Sequence, residues 1–335
     1  MPSSVPVIST RALHKEYRYY RQQPGLGGAV KGLFRRTRET RVAVENLDLT
    51  ILPGEFVGLL GRNGAGKTTT LKMLSGLLRP TSGEVTVLGD EPARRRYDFL
   101  RRIAVVLGQK SMLWWDVSTL DSLRLHQAMY DLSRTEVDQT VAELSELLQL
   151  ETLLDIPVRK LSLGERMKCE LMVALVHQPE VLFLDEPTIG LDVVSKAAIR
   201  EFLAVLNAER GTTIILTSHD MDDVAALCQR VLLVDSGRLQ FDGGLDDLVR
   251  ATRPHKRVTL TYTTAVSLPD PLPRGVRSSS HQASTASRIE LEVDRDATQR
   301  LLAAAPAWGE IADLEVRDAD IDEVMHAVLA GDQRC

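Results

Sequence analysis

The sequence predicts an α/β protein built on a largely parallel sheet, followed by a small α+β appendage. Three observations carry that prediction. Short apolar runs at residues 56–60, 181–184, 212–217 and 230–234 alternate with stretches of helical periodicity, the pattern of strands joined by crossover helices. A glycine-rich loop separates the first of these runs from a short helical segment. Beyond about residue 250 the composition changes, with three prolines in residues 268–273 and a serine-rich stretch at 278–287.

Residues 5–13 alternate weakly and read as an opening strand. A basic insert follows at 18–41, where Arg18, Arg21, Lys31, Arg35, Arg36, Arg38 and Arg41 face one acid, Glu39, for a net +6. Such a block reads as a solvated loop or hairpin, or as a face for anionic lipid headgroups. Strand character returns at Val42, Pro53-Gly54 makes a turn, and residues 56–60 form an apolar strand. Residues 69–77 are a predicted helix ending near Gly76, and the turn at 80–83 leads into a strand at 84–88. Residues 118–154 have helical spacing, with Val137, Val141, Leu144 and Leu148 at intervals of four, three and four. In the appendage, 257–262, 288–293 and 311–316 are predicted strands, and 297–305 and 321–329 predicted helices.

The 335 residues suit about two domains. With 41 Lys plus Arg against 46 Asp plus Glu, the formal charge is −5, and 44% hydrophobic with 26% charged residues is ordinary globular composition. This excludes a disordered, collagenous or disulfide-stapled chain, and also a basic protein that coats nucleic acid, so no nucleic-acid partner is expected. No run approaches the 18 or so apolar residues that cross a bilayer, and the first residues lack a signal-peptide pattern. Cys169, Cys228 and Cys335 are scattered, which fits neither zinc ligands nor a disulfide framework and suits a reducing compartment.

Gly61-Arg62-Asn63-Gly64-Ala65-Gly66-Lys67-Thr68 fits the P-loop pattern. Its glycines let backbone N–H groups turn toward a phosphate, and the following helix points its positive end there. Lys67 can reach β- and γ-phosphates, and the Thr68 hydroxyl suits Mg²⁺. A chance match in a chain this long is expected about once in 100 sequences. The apolar run at 181–184 then ends in Asp185 and Glu186, placing two carboxylates at the edge of a buried strand, where α/β proteins bind ligands. Asp185 would hold Mg²⁺, and Glu186 would act as general base on the attacking water. These residues alone support a P-loop NTPase.

Further motifs narrow this. Leu161-Ser162-Leu163-Gly164-Glu165 opens a helical stretch ahead of Asp185 and resembles the signature motif of ATP-binding cassette (ABC) ATPases. Gln109 resembles their Q-loop, Asp192 in Ile189-Gly190-Leu191-Asp192 their D-loop, His219 their switch histidine, and Tyr17 the aromatic on which adenine stacks. The resemblance spans residues 5 to about 245 and implies an ABC cassette: a RecA-like core, an antiparallel β subdomain and a helical subdomain at about 110–178. Residues 1–250 would form this nucleotide-binding domain and 251–335 the small α+β domain. It further implies ATP and Mg²⁺ as ligands, with residues 61–68, Thr69 and Tyr17 binding ATP. Glu186, His219 and Gln109 would be catalytic, and Thr68, Gln109 and Asp185 would hold the metal. Ser162, Leu163, Gly164 and Glu165 would act on ATP held by a second cassette.

The usual signature is Leu-Ser-Gly-Gly-Gln, so Leu163 and Glu165 are departures. Leu163 is expected to make close backbone approach less permissive, and Glu165 to put a carboxylate near a phosphate rim. Trp114 and Trp115, in the run Leu113-Trp114-Trp115-Asp116 after Gln109, read either as core packing or as an aromatic platform for a helix of a separate permease. The layout resembles ATP-binding subunits of bacterial multidrug and viologen-type exporters, which implies a peripheral place on the cytoplasmic face of the membrane. The competing class, soluble ABC ATPases of DNA repair or ribosomes, carries long coiled coils or two cassettes. This chain shows no sustained heptads and one cassette. A non-catalytic interaction protein is at odds with intact Lys67, Asp185, Glu186 and His219.

Overall fold

The computed structural model describes residues 5–20, 38–108, 110–252, 255–278 and 285–317. It divides into two compact units, Met1–Gly243 and Gly244–Cys335, a few residues ahead of the compositional shift near 250.

In the first unit a six-stranded sheet runs in the order β5-β6-β7-β3-β8-β9. Its members are β3 (Phe56–Leu60), β5 (Ile103–Leu107), β6 (Val181–Asp185), β7 (Thr213–Thr217), β8 (Arg230–Asp235) and β9 (Arg238–Gly243). The first five pair in parallel, and β9 joins β8 antiparallel. Every residue of β3 and β7 is buried. A parallel strand covered on both faces has no solvent side to carry polar residues, hence the continuous apolar runs. A three-stranded antiparallel sheet, β1 (Ile8–Tyr20), β2 (Arg38–Ile51) and β4 (Ser82–Val87), has the order β2-β1-β4. Leu13, Leu47 and Ile51 from this sheet, Leu71, and Phe183 and Val234 from the parallel sheet belong to one core.

β1 is longer than the expected strand at 5–13. Register shifts between Thr10 and Leu13 and around Lys15, with Ala12 at a positive φ of 47°, interrupt its alternation, which hides the strand from a period-two reading. The ladder continues through Tyr17↔Arg41 to Tyr20↔Arg38, so both ends of the basic insert are strand. Its residues 21–37 lie outside the described residues.

Helix α1 (Lys67–Leu74) follows the glycine-rich loop, two residues earlier than expected. A short α2 (Tyr97–Leu100) precedes β5. The expected helix at 118–154 is two: α3 (Thr119–Met129) and α4 (Arg134–Leu148). Asp131, at φ 52°, breaks the run, and Ser133 and Glu136 close a reciprocal capping box at the start of α4. Next come α5 (Leu163–Leu175), α6 (Val193–Arg210) and α7 (Met221–Leu227).

The second unit starts with α8 (Leu245–Thr252), which is not among the predicted elements. Its antiparallel sheet, in the order β11-β12-β10-β13, comprises β10 (His255–Ser267), β11 (Val276–Ser278), β12 (Thr285–Asp294) and β13 (Ile311–Arg317). Leu301 of α9 (Thr298–Ala304) packs with Leu260, Ile289 and Leu291 of the sheet. β12 begins inside the serine-rich stretch, at Thr285. The predicted helix at 321–329 lies outside the described residues.

Candidate active site

The glycine-rich loop joins the buried C-terminal end of β3 to α1. Gly66 is the residue before α1 and sits at φ 110°. A Cβ there would come within 2.4 Å of the Ala43 carbonyl oxygen, so only glycine fits the conformation and the space. Lys67 opens the helix and is 6% exposed. Its ammonium donates to the loop's own carbonyls, Gly61 O at 2.6 Å and Arg62 O at 3.2 Å. Burial pushes the Lys67 pKa down, and the carboxylates of Glu186 and Asp185 act against that fall. A desolvated cation with its donors held by weak partners is poised to take a stronger acceptor.

Asp185 ends β6, and its Oδ1 accepts hydrogen bonds from the Thr68 hydroxyl at 3.0 Å and the Thr217 hydroxyl at 2.7 Å. Thr68 and Asp185, expected as metal ligands, are therefore in direct contact. Glu186 follows in the left-handed region at φ 55°, a conformation that costs a non-glycine residue about 1–3 kcal/mol. Its N–H donates to Thr217 O at 3.0 Å and Thr217 Oγ1 at 3.2 Å. Those bonds hold the turn that takes the Glu186 carboxylate out of the sheet. His219 Nε2 meets Glu186 Oε1 at 2.7 Å.

Tyr17, Tyr19, Arg41, Arg62, Asn63, Gly64, Gly66, Lys67, Thr68, Thr69 and Glu186 line a cleft of about 460 Å³. Tyr17 thus lies with the P-loop, as expected. Tyr19 and Arg41 were not among the expected residues. The period-two face of a strand running past Tyr17 would have found Tyr19, and the cross-strand partner of Tyr17 is Arg41. Gln109 lies outside the described residues. Its neighbour Gly108 donates its N–H to Asp185 O at 2.8 Å.

None of Ser162, Leu163, Gly164 or Glu165 lines this cleft. They open α5, where Ser162 is the N-cap. Its hydroxyl oxygen accepts the Glu165 N–H at 3.3 Å, and Glu165 Oε2 accepts the Ser162 N–H at 2.8 Å. Ser162, first through its N–H and then its hydroxyl, holds the Glu165 carboxyl below the ordinary carboxylate range. The expected rim carboxylate is therefore turned back on its own helix, where it completes a capping box. Leu163 is the first residue of that helix, and its side chain lies 3.4 Å from where a Cβ on Gly190 would stand. Helical backbone accepts any side chain, so Leu163 is unstrained there, and its side chain is exposed at the start of the helix. The glycine demand falls one residue later: a Cβ on Gly164 would come 2.2 Å from Ser195 Oγ. Ser195 is held in turn by Asp192, which accepts its N–H at 2.9 Å and its hydroxyl at 2.7 Å.

Trp114 and Trp115 are 66% and 60% exposed, which removes the core-packing alternative. The Arg166 guanidinium stands 5.5 Å from the Trp115 ring centroid. A neighbouring apolar groove of about 480 Å³ is lined by Leu77, Tyr97, Leu100, Met112, Met129 and Tyr130, among others. The segment carrying the tryptophans is anchored by Glu170 of α5, 4% exposed. Its carboxylate accepts the Ser111 hydroxyl and the Met112 N–H, the latter at 3.1 and 3.0 Å. Glu170→Ala should lower stability by about 1–3 kcal/mol, because it removes the buried acceptor that ties the Ser111 hydroxyl and the half-buried Met112 N–H to α5. Denaturant unfolding of the purified chain checks this, and an unchanged midpoint would refute it.

The comparisons with known proteins agree with this geometry. Residues 44–189 match the ABC transporter family. The chain is 36% identical over 220 residues to the ABC transporter ATP-binding protein NatA of Bacillus subtilis, covering 66% of this chain and 89% of NatA. It is 40% identical over 208 residues to the Nod factor export ATP-binding protein I of Cupriavidus metallidurans, covering 62% and 68% respectively. Among solved structures, an ATP-binding subunit of an ABC transporter superposes with a TM-score of 0.60 at 24% identity, covering 73% of this chain and 92% of that one. A dimeric cassette bound to ADP and phosphate gives 0.59, also at 24% identity, covering 71% and 98%. With its P-loop, paired acids and adjoining histidine assembled on the cassette fold, the chain belongs to the ABC transporter family as an ATP-hydrolysing, ATP-binding subunit.

Proposed function

We propose that this subunit drives an export permease made of separate chains, and that it does so by closing with a second cassette over ATP. The observation that carries this reading is the division of the motifs. The P-loop, Glu186 and Tyr17 line one cleft, while the signature residues open α5 away from it. A nucleotide in the cleft is complete only when another cassette brings its own Ser162 and Gly164. Ser162 Oγ accepts the N–H of Glu165, and its hydroxyl hydrogen, which faces the Glu165 carboxylate in the free subunit, would turn to a γ-phosphate on closure. ATP is then the contact between two subunits, and hydrolysis removes it.

Within the cleft, Tyr17 stacks the adenine, the loop N–H groups hold the phosphates and Lys67 exchanges its carbonyl partners for phosphate oxygens. Thr68 and Asp185 present the hard oxygen donors that suit Mg²⁺, and would hold it where its charge offsets that of the β- and γ-phosphates. Glu186 takes the proton of the attacking water. His219, in contact with Glu186, orients that carboxylate.

Among the described residues no helix is long and apolar enough to cross a membrane; in this reading the work of hydrolysis passes to a separate permease chain. The exposed tryptophan pair and the apolar groove beside it supply the kind of surface an amphipathic permease helix would use, which supports a reading in which the subunit sits on the cytoplasmic face of the membrane. The Nod factor export relative favours export. The test is co-expression with the membrane-protein genes adjacent to its own, followed by capture from solubilised membranes. Wild type should retain the membrane protein, and the double substitution Trp114→Ala, Trp115→Ala should lose most of it while still binding ATP. Equal capture by both would reject the tryptophan surface, and an ATPase that never leaves the soluble fraction would reject the permease.

A further inference from the structure

The nucleotide cleft contains a cation that none of the motifs accounts for. Arg41 lies on β2, paired in register with Tyr17 of β1, so the two side chains project from the same face of the ladder. Its guanidinium reaches the P-loop: Arg41 Nη2 is 3.2 Å from where a Cβ on Gly64 would stand. Tyr17 and Tyr19, 40% and 46% exposed, flank it in the same cleft.

We infer that Arg41 is a further nucleotide-binding residue, one that holds the polyphosphate of ATP from the open side of the cleft at Gly64. A guanidinium suits this task, since its planar fork of donors matches phosphate oxygens and it stays charged at any working pH. Its place next to two aromatic rings lets it act where base and phosphate meet. Gly64, with φ 82° and no side chain, leaves room for the fork to approach the loop. The contribution comes from a different element than the P-loop, so it depends on the β1–β2 register and not on the loop sequence. The inference rests on the ATP-binding reading of this cleft and deepens it.

The test uses the full chain with Arg41→Ala and Arg41→Lys, measuring KM and kcat for ATP and equilibrium binding of ATP and ADP at low and high salt. Arg41→Ala should raise KM by about five- to tenfold, the size of one charge-assisted hydrogen bond near a surface, with kcat at saturation within about twofold. The loss should shrink at high salt, where exposed charges are screened, and Arg41→Lys should recover part of it. An unchanged KM overturns the inference. A loss equal for Ala and Lys and insensitive to salt overturns it too, since it would mark a structural role in the strand. The reading beneath it is checked separately by Lys67→Ala: if that variant binds ATP like wild type, the cleft itself is misassigned.

Discussion

Glu186→Gln should lower ATP turnover by about 10²- to 10⁴-fold, the range that a positioned general base contributes, while nucleotide affinity stays within a few-fold of wild type. The substitution removes the proton acceptor and keeps the shape. Glutamine can still meet His219, and the backbone bonds to Thr217 that hold residue 186 at positive φ do not involve the side chain. The variant should therefore fold normally and accumulate as an ATP-bound pair of cassettes, because closure needs the γ-phosphate and release needs its cleavage. Phosphate release measures the first part, and size-exclusion chromatography with and without ATP the second. Turnover at the wild-type rate would remove Glu186 from the role of base. Lost turnover without an ATP-dependent dimer would keep the base and reject the clamp.

Lys67→Ala should weaken ATP binding by about 30-fold or more, since truncating one partner of a desolvated, hydrogen-bonded charge pair costs about 2–5 kcal/mol. In the free protein the Lys67 ammonium is buried against carbonyls and its pKa is depressed by that burial. Removing it relieves a desolvated charge, so the nucleotide-free variant should melt at or above the wild-type temperature. Saturating ATP stabilises wild type by about 2.7 kcal/mol at a hundredfold excess over Kd, and the variant should lose that shift. A variant that binds weakly and also melts early without nucleotide would instead point to a collapsed loop.

The P-loop is legible in the sequence because its chemistry is local: glycine spacing, a lysine and a threonine at the start of a helix. The same holds for the paired acids, since a buried parallel strand has no choice but to be apolar until it reaches the sheet edge. The capping box at Ser162 and Glu165 is local as well, and a Ser-x-x-Glu pattern ahead of a helix was there to be read. Its carboxylate is spent on the helix end and not on a phosphate rim. β1 was the harder case. Bulges around Ala12 and Lys15 shift the alternation, and with it went Tyr19 and Arg41.

The residue types that act on ATP, their order, and the family they mark follow from the chain alone, because each motif is a short run whose chemistry needs only its neighbours. Which of them touch follows from the packed sheet. Thr68 meets Asp185 across 117 residues and Thr217 meets Asp185 across 32. The glycine that the signature needs is Gly164, because α6 brings Ser195 against it. The exposure of Trp114 and Trp115 is of the same kind. Aromatic side chains gain as much by burial in a core as on a partner, so composition is silent on the choice, and it is Glu170 closing over the preceding turn that holds their segment at the surface.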